Sequence, residues 1–271
     1  MSNQSKSLKA RLRKAYRDPS TVLVKILQGA IDSLRGYSYD FNKNGERELL
    51  EKLSGEGFRE VFDVGCNVGE WSLTAVKYFA QARIHCFELS ASTFRTLSAN
   101  LKGPNFVLNN MGMGDRDAQV QYKDYGEDSK VNTLLVDATY HDRKLESLIK
   151  TATIRAGDSY CAEKGIEQID FLKIDVEGAD HLVLEGFAAM LRRQAIRVVQ
   201  FEYGYTHGDA KFLMRDFYKL FEQHGYIVGR VQKGGIAFDE WTYKHNDFRS
   251  GPNYVAIRKD DAHLRSVLAR G

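Results

Sequence analysis

The stretch Val61-Phe-Asp-Val-Gly-Cys-Asn-Val-Gly-Glu70 runs out of a short apolar strand, through a turn carrying Gly65 and Gly69, into an amphipathic run with Trp71, Ala75, Val76 and Phe79. A strand that ends on glycine and delivers the chain directly into a helix lets the backbone approach a ligand closely at the carboxyl end of a parallel strand. The same switch of period recurs downstream. Residues 84–88, 106–109, 169–174 and 196–201 read as strands, and helical runs carry Phe94 and Leu97, then Leu182, Val183, Phe187 and Met190, then Phe212, Leu213, Phe217, Leu220 and Phe221. Such alternation predicts an α/β fold with a mostly parallel sheet covered by helices on both faces. Residues 226–231 and 254–258 would be the last strands. No helical period lies between them, so they are expected to pair antiparallel.

Ahead of this pattern, residues 5–35 read as helix punctuated by Pro19, and a short helix with Leu49, Leu50 and Leu53 follows Asn44, a candidate cap. The chain is therefore expected to divide into an N-terminal helical extension, 1–55, and one main domain, 56–271. A 271-residue chain that is 43% hydrophobic can bury one substantial core. Between the third and fourth strands lies an excursion in which 120–123 alternates like an edge strand and 151–155 is a second candidate strand. Three scattered cysteines, Cys66, Cys86 and Cys161, suit neither a disulfide framework nor a paired-cysteine zinc site. With no signal-like or membrane-spanning apolar run, a cytoplasmic location is expected.

The turn after the first strand has two glycines three residues apart, so the three-glycine dinucleotide pattern is absent, and no lysine follows to cradle phosphates. A glycine-poor turn with Asp63 on its strand and Asn67 in its loop suits a ligand with an amino-acid tail, whose carboxylate meets backbone amides while Asp63 faces the ammonium. Glu88, ending the second strand, places two carboxylate oxygens where both hydroxyls of an adenosine ribose can donate. Trp71, at the start of the first helix, is a further candidate for this site.

Two stretches resemble a known family. Asp63-Val-Gly-Cys-Asn-Val-Gly-Glu-Trp-Ser72 is similar to the first motif of class I methyltransferases, and Phe171-Leu-Lys-Ile-Asp-Val-Glu-Gly-Ala-Asp180 resembles the fourth-strand hallmark of the FkbM family. Glu202, ending the fifth strand, matches that family's acidic position. The resemblance spans roughly residues 40–259. It implies a Rossmann-like seven-stranded sheet with its last strand antiparallel, S-adenosylmethionine bound through Asp63, Gly65, Asn67, Gly69, Trp71, Glu88 and Asp175, and usually a hydroxyl acceptor on a sugar or other natural product. The chain departs from the pattern at Arg155-Ala-Gly-Asp158, where family members often carry Leu-Asp.

Methyl transfer from a sulfonium is an in-line displacement, and an alcohol acceptor must also lose its proton, so a base or metal is needed beside the methyl group. Asp175, Glu177, Glu202 and His207, all just past central strands, are the candidates. Asp175 and Glu202 are also suited to hold a hard divalent cation such as Mg²⁺. Glu177 reads equally well as a carboxylate stabilising the first turn of the next helix. Lys173, inside its strand, is expected to pair with Asp63 or Glu202, and Tyr203, Tyr205 and Trp241 are candidates to line an acceptor pocket. Other readings are a non-catalytic binding protein of the same fold, or a methyltransferase acting on nitrogen or nucleic acid. An Asp-Val-Glu site repels phosphates and disfavours nucleic acid. The expected partner is a small-molecule or glycan acceptor, with homo-oligomerisation left open. The formal charge is only +3, yet Lys6, Lys9, Arg11, Arg13, Lys14 and Arg17 cluster without an acidic neighbour. Residues 6–17 are therefore candidates for peripheral contact with the inner face of a membrane.

Overall fold

The computed structural model describes residues 19–34, 38, 40–126, 129–137, 146–246, 248 and 253–270. In chain order the helices are α1 (Pro19–Leu34), α2 (Glu46–Lys52), α3 (Glu70–Tyr78), α4 (Ala91–Asn100), α5 (Gly157–Lys164), α6 (Asp180–Gly186), α7 (Ala188–Arg192), α8 (Thr206–Ala210), α9 (Met214–Gln223) and α10 (Ala262–Leu268). The strands are β1 (Glu60–Val64), β2 (Arg83–Phe87), β3 (Phe106–Asn109), β4 (Gly112–Gly114), β5 (Ala118–Asp124), β6 (Leu148–Ala156), β7 (Ile169–Ile174), β8 (Ile196–Glu202), β9 (Tyr226–Gln232), β10 (Gly235–Phe238) and β11 (Asn253–Arg258).

The main sheet has eight strands in the order β10-β9-β11-β8-β7-β1-β2-β3. Strands β3, β2, β1, β7 and β8 run parallel, and β11 pairs antiparallel with both β8 and β9. Seven strands were expected. The eighth, β10, is the return arm of a hairpin that turns at Gly234 and Gly235, both with positive φ. Four residues are too short a run to announce themselves by alternation. The excursion forms its own three-stranded sheet, β4-β6-β5, in which β5 and β6 pair antiparallel with Val120 opposite Ala152.

Strand alternation sorts the core into two layers. Phe62, Val64, Leu172, Ile174, Val199 and Phe201 point to one face, where residues of α5, α6, α7 and α9 cover them. Val61, Phe171, Val198, Val255 and Ile257 point to the other, against Trp71, Leu97, Leu264 and Leu268. Leu49, Leu50 and Leu53 join this second layer, so α2, assigned from sequence to the N-terminal extension, packs on the same sheet as the main domain. Burying each such side chain is worth about 1.5–3 kcal/mol.

Local details differ from expectation for identifiable reasons. The helix expected through Met190 breaks at Phe187 into α6 and α7. Gly186 lies so close to β4 that a Cβ there would sit 2.0 Å from the Gly114 carbonyl oxygen, and both Asp158 oxygens accept from the first amides of α7, Ala189 and Met190. The residues that depart from the family pattern thus do structural work here. Past β8 the chain makes α8 before α9, which buries Met214, Phe217 and Phe221, while Leu213 is exposed. Pro19 opens α1, where its missing N–H costs nothing. The helical reading of 5–18, and the contact assigned to 6–17, lie outside the described residues. Among the described residues no helix is long and apolar enough to cross a membrane.

Candidate functional site

Strand order reverses between β1 and β7, and at such a switch point the loops leaving the carboxyl ends part and open a crevice. Four of those ends carry the residues singled out from sequence. The turn after β1 is held by the Gly65 and Cys66 amides, which both donate to the Phe87 carbonyl. Gly65 has φ +78, and a Cβ there would lie 1.9 Å from the Asp175 carbonyl oxygen. Glycine at this position is therefore also required for the loops of β1 and β7 to lie side by side. Gly69, at φ +91, caps α3 and packs on Leu97 and Leu101 of the neighbouring helix.

Glu88 lies directly beneath this turn. It is buried, one carboxylate oxygen accepting from the Asn67 amide at 3.1 Å and the other from the Ser90 amide at 2.8 Å. Burial raises its pKa to about 7 against the pull of those two amides. Asn67 is held in the left-handed region at φ +47, its Nδ2 donates to the Ser129 carbonyl, and its buried Oδ1 has no partner among the described residues. Strain and an unsatisfied buried oxygen in one side chain are the marks of a residue kept for a ligand. A cofactor with a ribose and an amino-acid tail fits this set.

Asp63 and Lys173 are register partners on adjacent strands and face the same layer. The Asp63 carboxylate is fully buried, accepting from Ser72 Oγ at 2.7 Å and from Lys173 Nζ at 3.2 Å. Its carboxylate is thus engaged inside the protein, by Ser72 and Lys173. Lys173 also reaches Asp175 Oδ2 at 3.4 Å. Burial opposes its charge, and the carboxylates of Asp63 and Asp175 outweigh that opposition, raising the lysine pKa. Its ammonium lies 5.8 Å from the centre of the Trp71 ring, which itself packs on Phe171 in the core. Glu46 of α2 completes the group: it accepts from Asn44 and from Gln200 of β8, and burial raises its pKa.

Beyond β7 and β8, Asp175, Glu177 and Glu202 bring one carboxylate oxygen each within 4.8 Å of one another. Burial, and then the like charges of Asp175 and Glu177, push the Glu202 carboxyl well above the ordinary carboxylate range. Three oxygens at this spacing could share a proton or coordinate a hard cation. Glu177 adopts φ +55 and precedes the Ala179 cap of α6, and the acidic residue in that helix's first turn is Asp180.

His207 does not join the carboxylates. It is buried in the loop after β8, its Nδ1 accepting from the Gly204 amide at 3.1 Å and its Nε2 facing Asp180 at 3.4 Å. His181 stacks on Phe212. Among the aromatic candidates, Tyr203 is fully buried, Trp241 half-buried beside Arg215, and Tyr205 exposed. Sequence reasoning missed the segment after β5. Ser129 holds Asn67, Lys130 pairs with Glu70, and the Thr133 hydroxyl donates to the Glu177 carbonyl, so residues 129–133 bridge the loops of β1 and β7. No pattern marks those residues, because their role comes from contacts 44 to 62 positions away.

A curated relative, the AMB antimetabolite synthetase AmbE of Pseudomonas aeruginosa, is 29% identical over 247 residues, covering 78% of this chain and 11% of that protein. The chain therefore spans about a tenth of that relative's length. Among solved structures, methyltransferase FkbM from Methylobacillus flagellatus KT aligns with a TM-score of 0.45 at 12% identity, covering 74% of this chain and 44% of that one. The O-methyltransferase TomG from Streptomyces achromogenes, solved with SAM and involved in tomaymycin synthesis, aligns at a TM-score of 0.42 and 11% identity, covering 82% of each chain. The family model described as the methyltransferase FkbM domain matches residues 63–228, more than half of the sequence and the stretch that carries the end of β1, Glu88, β7 and β8. The chain belongs to the FkbM family of S-adenosylmethionine-dependent methyltransferases.

Proposed function

We propose that this methyltransferase acts on a hydroxyl group of a small molecule or glycan, and that Asp175, Glu177 and Glu202 manage the proton the hydroxyl gives up. The observation that carries the reading is the convergence of these carboxylate oxygens within 4.8 Å at the switch point, beside the turn that suits the cofactor. S-adenosylmethionine supplies an activated methyl group bonded to a cationic sulfur. When it is bound, Glu88 would accept the ribose hydroxyls, and the backbone around Gly65 with Asn67 would receive the amino-acid tail. Asp63 acts from behind the turn, fixing it through Ser72 and Lys173.

In the transfer, the methyl–sulfur bond breaks as the methyl–oxygen bond forms, and the acceptor proton passes to a carboxylate. Like charges this close share one proton, which leaves another carboxylate ionised and able to accept. The anionic cluster also favours a cationic sulfonium nearby and disfavours phosphate-rich acceptors. The same three oxygens would serve a divalent cation, which would then lower the pKa of the hydroxyl.

Calorimetry with S-adenosylmethionine, followed by a screen for tritium transfer from labelled cofactor into sugar nucleotides, glycolipids and hydroxylated natural products, tests the reading. Product stable to conditions that cleave methyl esters, on a hydroxyl oxygen, is the expected result. Transfer to nitrogen or to RNA would overturn the acceptor assignment, and absence of cofactor binding would favour a non-catalytic protein. Loss of activity with a chelator and its return with Mg²⁺ would select the metal route.

A further inference from the structure

Six large aliphatic side chains of α1 stand in solvent: Val22 is 37% exposed, Leu23 56%, Val24 61%, Ile26 63%, Leu27 54% and Ile31 39%. They supply half of the exposed large hydrophobic residues among the described part of the chain. At about 100° per residue they sweep an arc of roughly 200°, leaving Lys25 and Gln28 on the remaining face. No α1 residue belongs to either core layer. An aliphatic face this wide and contiguous, on a helix outside both core layers, marks an interaction surface.

The sequence immediately before the helix indicates what covers it. Lys6, Lys9, Arg11, Arg13, Lys14 and Arg17 precede Pro19, and the first acidic residue of the chain is Asp18. Pairing α1 with a second copy of itself would add a second cluster of the same sign and supply no anion to neutralise either. An anionic lipid surface would neutralise the cluster and receive the aliphatic face at the boundary of its acyl chains. With 16 residues, α1 falls short of the roughly 20 needed to span a bilayer and suits an orientation along the surface.

We propose that α1, with the basic residues that precede it, is a peripheral anchor for anionic membranes. The inference does not rest on the identity of the methyl acceptor. Two requirements act together: the aliphatic face supplies insertion and the basic cluster supplies attraction that salt screens.

Vesicle flotation of the full chain, with phosphatidylcholine alone and with added phosphatidylglycerol, tests the anchor. The chain should float with the anionic vesicles, stay behind with the neutral ones, and be released as salt is raised. Two variants separate the contributions: Leu23→Gln with Ile26→Gln and Leu27→Gln, and Lys9→Gln with Arg13→Gln and Arg17→Gln. Neutralising three basic residues at about 1 kcal/mol each should lower partitioning on the order of a hundredfold, and the aliphatic variant should lose partitioning to the same vesicles, while calorimetric affinity for S-adenosylmethionine stays that of the wild type in both. Equal recovery with both vesicle types, or full recovery of either variant, would overturn the proposal. So would sedimentation of the vesicle-free chain as a dimer that Leu23→Gln, Ile26→Gln and Leu27→Gln dissociate, since that result assigns the face to a second copy.

Discussion

Glu88 is buried under two backbone amides, and burial raises its pKa from 4.5 to about 7. An acid whose folded-state pKa is raised favours folding while it is protonated. Its contribution is fully present below the unfolded value and is lost as pH rises through about 7. At about 1.4 kcal/mol per tenfold change in proton activity, ionising it in place costs about 3 kcal/mol. Glu88→Gln keeps the shape and removes the charge, but its amide nitrogen must face the Asn67 or Ser90 amide, at a pH-independent cost of about 1 kcal/mol. The variant should therefore be less stable than the wild type by about 1 kcal/mol near pH 4 and more stable by about 2 kcal/mol near pH 8. Urea unfolding of both proteins at the two pH values reads this crossover, and other titrating groups cancel in the difference. Cofactor affinity should move the other way, because ribose hydroxyls donate to the ionised carboxylate. The variant should bind S-adenosylmethionine about 1.5–3 kcal/mol more weakly at the higher pH, and wild-type affinity should fall towards low pH. A stability difference that is constant with pH would refute the titration argument. An unchanged dissociation constant near pH 8 would remove Glu88 from the cofactor site.

Gly65→Ala should prevent native folding rather than only block the cofactor, because the new Cβ meets the Asp175 backbone at 1.9 Å. Circular dichroism and thermal melting should show this, with Gly204→Ala, where nothing lies within 4 Å, unaffected. Lys173→Met leaves Asp63 buried without its countercharge and should destabilise by about 3–5 kcal/mol. Adding Asp63→Asn should recover part of that loss in denaturant titrations, and full additivity of the two changes would argue against the pair. Asp175→Asn and Glu202→Gln should lower turnover with little change in cofactor affinity, measured by kinetics beside calorimetry. An equal loss in both quantities would make these carboxylates cofactor ligands.

The placement of much of the candidate site was legible because its signals are local. A glycine that ends a strand, an acid that closes the next one, and the run from Lys173 to Gly178 each declare a strand end within a few residues. Parallel winding then gathers those ends along one edge, so Gly65, Asn67, Glu88, Asp175, Glu177 and Glu202 could be named from sequence. Alternation with Ile174 likewise offered Lys173 either Asp63 or Glu202 as a partner, and the structure pairs it with Asp63. The direction in which a side chain turns at the rim was not legible. Asp63 faces inward to Ser72 and Lys173, and His207 is sealed against Asp180, because neighbours distant in sequence bond them first. The eighth strand, the bridge of residues 129–133, and Glu46 meeting Gln200 across 154 positions all depend on how separate segments dock. Backbone period and glycine placement are properties of adjacent residues and can be read along the chain. The partner that a buried polar group finds depends on which surfaces the completed sheet brings together, and only the tertiary structure decides that.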